Sequence, residues 1–159
     1  DFMRLQGLLG SGTGRTELIS LQIKTLRKGW HDKDEIILHA VFQLLVDFME
    51  KERPGETVDW KSDDAPFKAW KELTYLYKWW KTTRPQRNSP IDDKSMKIPP
   101  FKFKKIPGSE FKQMILPDRK EYPEYYRMMN KHSRLENKWY EEDQRNLHRL
   151  IDLRNYLWT

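Results

Sequence analysis

His39, Gln43, Asp47 and Glu50 form the line of side chains in this 159-residue chain that most suggests chemistry. At about 100° per residue, positions i, i+4, i+8 and i+11 fall within roughly 80° of one another on a helix. An imidazole and two carboxylates on one helical face are the donors from which helical bundles build divalent-metal sites, with facing helices completing the set. Glu72, or the pairs His132/Glu136 and His148/Asp152, offer the further ligands. Mg²⁺ or Mn²⁺ held by His39, Asp47 and Glu50 could activate water for phosphate-ester cleavage, the reading of a metal-dependent phosphohydrolase. Neither an HExxH nor a paired ExxE signature accompanies the line. A plainer account is therefore preferred, with no cofactor: the line is the wet strip of an otherwise apolar helix.

Two other stretches invite the same question. Gly10-Ser11-Gly12-Thr13-Gly14-Arg15-Thr16 has the composition of a phosphate-cradling loop. However, Leu9 stands where the first glycine belongs, Arg15 replaces the lysine, and no strand precedes it. Residues 1–15 are read as a flexible Gly-rich segment ahead of one helical domain, 16–159. The second stretch lies in 84–121, where ten Lys/Arg face five Asp/Glu, so most of the chain's +6 charge sits in one segment. Lys97, Phe101, Lys102, Phe103, Lys104 and Lys105 interleave cations with rings, the pattern that neutralises phosphates and stacks on bases. The same rings could pin the segment onto its own helices or onto another protein.

The elements that must position these residues follow from pattern. A helix is expected over about Thr16–Lys28, with Leu18, Ile19, Ile23 and Leu26 inward and Gly29 as its stop. A second, over Asp34–Glu52, begins at a capping-box-like Asp32/Glu35 pair and ends at Pro54-Gly55. It is apolar nearly all round, which makes it a central or interface helix. A third starts near Pro66 and runs to about Thr83, with Phe67, Trp70, Leu73, Tyr77 and Trp80 on one face and Tyr75 and Trp79 pointing elsewhere. The six prolines of 85–117 exclude regular helix and predict a long irregular arm. Its one alternating stretch, Phe101-Lys102-Phe103-Lys104, suits a short edge strand. A last helix is expected from Pro123 to Tyr156, with a change of phase after Trp139. The fold class is all-α: about four helices around a central hydrophobic one, with a Pro/Lys-rich arm packed across them.

Composition bounds the function. Charged residues make up 34% of the chain and aromatics 13%, including seven Trp, which favours a folded domain with a charged surface over a disordered chain. The absence of Cys excludes disulfides, thiolate metal sites and a Cys nucleophile. No apolar run approaches a membrane span, so no membrane partner is expected. Four helices need fewer large rings than this chain carries. Tyr75, Trp79, Arg84, Arg87 and Trp158 are therefore expected to contact a partner, since Trp, Tyr and Arg dominate binding surfaces.

Phe42–Pro54 (FQLLVDFMEKERP), Tyr77–Pro90 (YKWWKTTRPQRNSP) and Tyr140–Thr159 (YEEDQRNLHRLIDLRNYLWT) together resemble a family of small uncharacterised proteins of tailed bacteriophages. The resemblance spans about Trp30 to Thr159 and leaves the Gly-rich start outside it. It implies an origin in the cytoplasm of an infected bacterium or in the virion. It carries over no catalytic residues, because that family has no established activity. The expectation is a non-enzymatic binding protein, engaging a host or viral protein through exposed aromatics and the basic arm. Nucleic acid and a second copy of the chain are the alternative partners.

Overall fold

The structure, a computed structural model, describes residues 21–93, 95 and 98–157. Helix α1 (Lys33–Asp47) is prolonged by a π turn, Phe48–Glu52, and followed by the single-turn α2 (Pro54–Thr57). Helix α3 (Asp64–Lys78) is likewise prolonged by a π turn, Trp79–Thr83, and then by two 3₁₀ turns, Arg84–Gln86 and Pro90–Asp92. Strands β1 (Lys102–Lys105) and β2 (Lys112–Ile115) pair as an antiparallel hairpin, and α4 (Pro123–Asp152) closes the fold with a 3₁₀ turn, Arg154–Tyr156. The chain is thus mostly helical, and the two-stranded sheet departs from the all-α expectation.

The core lies where α1, α3 and the C-terminal half of α4 meet. Phe42 and Leu45, Leu73 and Leu76, and Leu150 are its fully buried members, one group from each helix. Burying such side chains stabilises the fold by about 1.5–3 kcal/mol each. Phe42 stacks on Trp80 with ring centroids 4.4 Å apart and planes 11° from parallel. The expected single apolar face of α3 cannot hold both Trp79 and Trp80, which are adjacent in sequence. The π turn is wider than an α turn, and both rings are buried there, with Trp79 5.3 Å from Phe42. A Trp expected to face a partner is therefore core, only 2% exposed.

The helix expected at Thr16–Lys28 is not found where it can be seen. Its part before residue 21 lies outside the described residues, as does the Gly-rich segment, and 21–28 is non-helical. Ile23 and Leu26 are still half-buried, as expected of inward positions, but on an irregular strap laid along α1. That strap also corrects the orientation of α1. His39 and Gln43 are 6% and 1% exposed, while Ile36, Ile37 and Leu44 face solvent. The first half of the polar line, His39 and Gln43, is covered rather than wet, whereas Asp47 is half-buried and Glu50 exposed. The covered groups are satisfied under the strap, where Lys24 N donates to Gln43 Oε1 (3.1 Å) and Thr25 Oγ1 lies 2.7 Å from His39 Nδ1. The capping box does not form either: Asp32 makes no side-chain cap, and Glu35 bonds His31 instead.

Helix α4 is one unbroken helix of 30 residues, about 45 Å long at 1.5 Å per residue. The change of phase after Trp139 has a simple origin. The inward line continues through Asp143 and Asn146, which are buried but polar, before resuming at Leu147 and Leu150. The N-terminal half of α4 is covered mainly by the Pro90–Asp92 turn of the arm.

Candidate functional site

The polar line of α1 is divided among separate protein partners. Asp47 accepts from Gln43 Nε2 (2.9 Å) and Lys51 Nζ (2.8 Å), and the lysine holds its carboxyl below the usual range. Glu50 accepts from Lys81 Nζ (2.9 Å) and the Tyr77 hydroxyl (2.9 Å), which lower its pKa in the same way. His39 meets Thr25 and presses edge-on against Trp80, with ring centroids 4.9 Å apart. Burial, reinforced by the Arg84 charge, pushes its pKa down and so disfavours the protonated ring. Among the described residues, no three His, Asp or Glu side chains form a group that could hold a metal. Glu72, considered a further ligand, pairs instead with Arg149.

Arg84 and Arg87, expected to contact a partner, are folded against α4. Arg84 reaches Asp143 through Nε (3.3 Å) and Nη2 (3.1 Å) and lies over Trp80, 4.7 Å from the ring centroid. Arg87 Nη2 donates to Glu142 Oε2 and Asp143 Oδ1, both at 2.7 Å. Trp79 Nε1 donates to the other Glu142 oxygen at 3.1 Å. Two guanidinium groups, two carboxylates and two indoles thus clamp the start of the arm to α4. Desolvation opposes the Arg87 charge, but the two carboxylates outweigh it and raise its pKa. Tyr75 is half exposed and lies under Arg149, 4.7 Å from its ring centroid. Trp158 and Lys97 lie outside the described residues.

One constellation was not foreseen. The tautomer that satisfies both neighbours of His132 has the Ser89 hydroxyl donating to Nδ1 (2.8 Å) and Nε2–H facing Glu136 (3.1 Å). Ser89 lines an open cavity of about 410 Å³ together with Arg127, Met128 and Lys131. The order hydroxyl, imidazole, carboxylate is that of an activated nucleophile. Here Ser89 Oγ also caps the Pro90 turn by accepting from Ile91 N (3.2 Å), and Glu136 is mostly exposed. The group ties the arm to α4. Only the His132/Glu136 spacing was visible in the sequence, because Ser89 comes from 43 residues away.

The hairpin is different. Every residue of both strands is exposed, and among the described residues neither strand packs extensively on a helix. Pro107 and Gly108 occupy the corners of a type II turn, with Gly108 at φ +74° and Ser109 N donating to Ile106 O at 3.2 Å. The pairs Lys102↔Ile115, Phe103↔Met114, Lys104↔Gln113 and Lys105↔Lys112 set the register. Phe101, Phe103 and Phe111 are 65%, 59% and 77% exposed, and Ile106, Met114, Ile115 and Leu116 are exposed beside them. Lys102, Lys104, Lys105 and Lys112 interrupt this apolar surface, with Glu110 the one acid between Phe101 and Leu116. The base is anchored where the Tyr126 hydroxyl donates to Pro117 O at 2.7 Å. Sequence reasoning found the lysines and Phe101/Phe103 of the first strand. It missed Phe111, Met114, Ile115 and Leu116, whose membership depends on the turn at Pro107-Gly108.

Among the described residues, no helix is long and apolar enough to cross a membrane. Comparison of the chain with protein-family models, with curated proteins and with solved structures finds no match in any of the three.

Proposed function

We propose that this chain is a non-enzymatic binding protein of phage origin, acting in the bacterial host cytoplasm or the virion, and that its projecting hairpin engages a host or viral protein. One observation carries the reading: seven large apolar side chains, Phe101 through Leu116, lie exposed on a single ribbon. A two-stranded hairpin is marginal alone in water, and exposed apolar surface of this kind is what binding sites are made of. The origin rests on the resemblance of the three sequence stretches.

The reading is tested by placing a photo-crosslinking phenylalanine analogue at Phe111 and, as a control, at Tyr75, in infected cells. A discrete protein adduct from position 111, lost when Phe103 is changed to Ser, is the expected result. Equal labelling from both positions would end it. So would a large fall in melting temperature in Phe103→Ser, which would mean that the ring serves the fold.

A second reading, nucleic-acid binding, is favoured by Lys102, Lys104, Lys105 and Lys112 lying beside Phe101 and Phe103. Affinity for an oligonucleotide would then fall steeply with salt, by a log–log slope of about 0.7–0.9 per phosphate neutralised. A flat dependence removes it.

A further inference from the structure

The outer edge of β1 has the chemistry to take one kind of occupant, an inference that rests on the binding reading above. Ile106 N donates to Phe111 O at 3.3 Å, so these residues form a hydrogen-bonded pair next to the turn. Hydrogen-bonded and non-hydrogen-bonded pairs alternate along an antiparallel ladder. The pairs Lys105↔Lys112 and Phe103↔Met114 are then of the second kind, and Phe103 and Lys105 aim their amides and carbonyls away from β2. Among the described residues no third strand takes up that row. Side chains alternate too: Lys102 and Lys104 lie on one face of the ribbon, Phe103 and Lys105 on the other.

We propose that β1 receives, by strand addition, an extended segment of a partner protein in which acidic and apolar residues alternate. The backbone row supplies donors and acceptors for the ladder. Lys102 and Lys104 select carboxylates on one face, and Phe103 selects an apolar side chain on the other. Pro100 and Pro107 bound β1, which limits the added strand to about five residues. A second copy of β1 is disfavoured, because pairing would set lysines against lysines. Lysines that only guarded an open edge would not need exposed Phe103 beside them. A nucleic acid would leave the aliphatic Ile106, Met114, Ile115 and Leu116 without bases to stack on.

The test selects from a random library of peptides of about a dozen residues on the full chain, then measures the enriched peptides by titration. The expected winners alternate Asp/Glu with apolar residues. Their affinity falls about ten-fold in Lys102→Glu/Lys104→Glu and returns when the peptide's acids are changed to Lys. N-methylation of the peptide backbone at alternate residues abolishes binding, and at the residues between them does not. Peptides that bind the hairpin without alternation, or that ignore N-methylation, overturn the strand-addition proposal and leave the binding reading standing. Winners that bind Phe101→Ser/Phe103→Ser as tightly as the unmodified chain overturn both. An oligonucleotide bound through the same lysines, with a steep salt dependence, replaces both with the nucleic-acid reading.

Discussion

Two stretches of this chain are built from the same materials and have opposite fates. Trp79–Asp92 and Phe101–Leu116 are both rich in aromatic rings and cations, yet the indoles and guanidinium groups of the first pack against α1 and α4 while the second projects into solvent. The difference lies in what faces them. The first meets Glu142 and Asp143, two carboxylates on the inward line of a helix, which neutralise Arg84 and Arg87 and let Trp79 and Trp80 enter the core. Among the described residues the hairpin meets no such acidic line, so its lysines keep it hydrated and its rings stay uncovered. An aromatic–basic sequence thus becomes cement or contact surface according to whether a complementary anion waits on its own fold.

The sharpest way to break that comparison is to truncate one ring in each region. Trp79→Ala removes a buried indole and its bond to Glu142, and should cost roughly 3–5 kcal/mol in a urea melt. Next comes Asp143→Ala, which leaves the partly buried Arg84 without its carboxylate and Arg87 with Glu142 alone, and should cost about 3 kcal/mol. Chemical denaturation of each variant checks both values; a loss below 1 kcal/mol for Asp143→Ala would mean that water replaces the carboxylate.

The pH dependence of the clamped region follows from His39. Its folded pKa lies below the ordinary 6.5, first through burial and then through the Arg84 charge, so the folded state resists the proton that the unfolded state accepts. This contribution is fully present above 6.5 and is lost as pH falls toward the folded pKa. His31 has the opposite sign, since bonds to Arg27 O and Glu35 raise its pKa, so its contribution is present in acid and fades as pH rises. Subtracting the His39→Gln profile from that of the unmodified chain isolates the first effect. The difference should be level above about pH 7.5 and shrink as pH falls below 6.5, where the His39 contribution is lost. The smallest expected effect is in the hairpin: Phe103→Ser should change stability by no more than about 0.5 kcal/mol, because the ring is already in water. A large change there would erase the contrast between the two regions.

Much of the fold was legible because it is written in local periodicity. The long apolar helix, the helix after Asp63 and the strand around Phe103 follow from spacing and proline placement. The arm expected to pack across the helices instead folds part of itself into a projecting hairpin. What was misread depended on contacts distant in sequence. A helical wheel can isolate His39, Gln43, Asp47 and Glu50, but it cannot show that residues 23–25 lie over half of that line and satisfy it. Arg84 and Arg87 looked available because their partners lie more than 50 residues away. A signal for the clamp did exist: Asp143 and Asn146 occupy inward positions where apolar residues were due, and a buried acid requires a cation.

Sequence alone determined the helical class, the aromatic and basic surplus, and the concentration of positive charge in 84–121, because these depend on composition and short-range spacing. Tertiary structure decided which rings are core and which are surface, since burial depends on what the folded chain brings opposite each side chain. His39 and Gln43 of the polar line went inside because a strap could bond them, and the hairpin stayed outside because, among the described residues, no acidic line faces it.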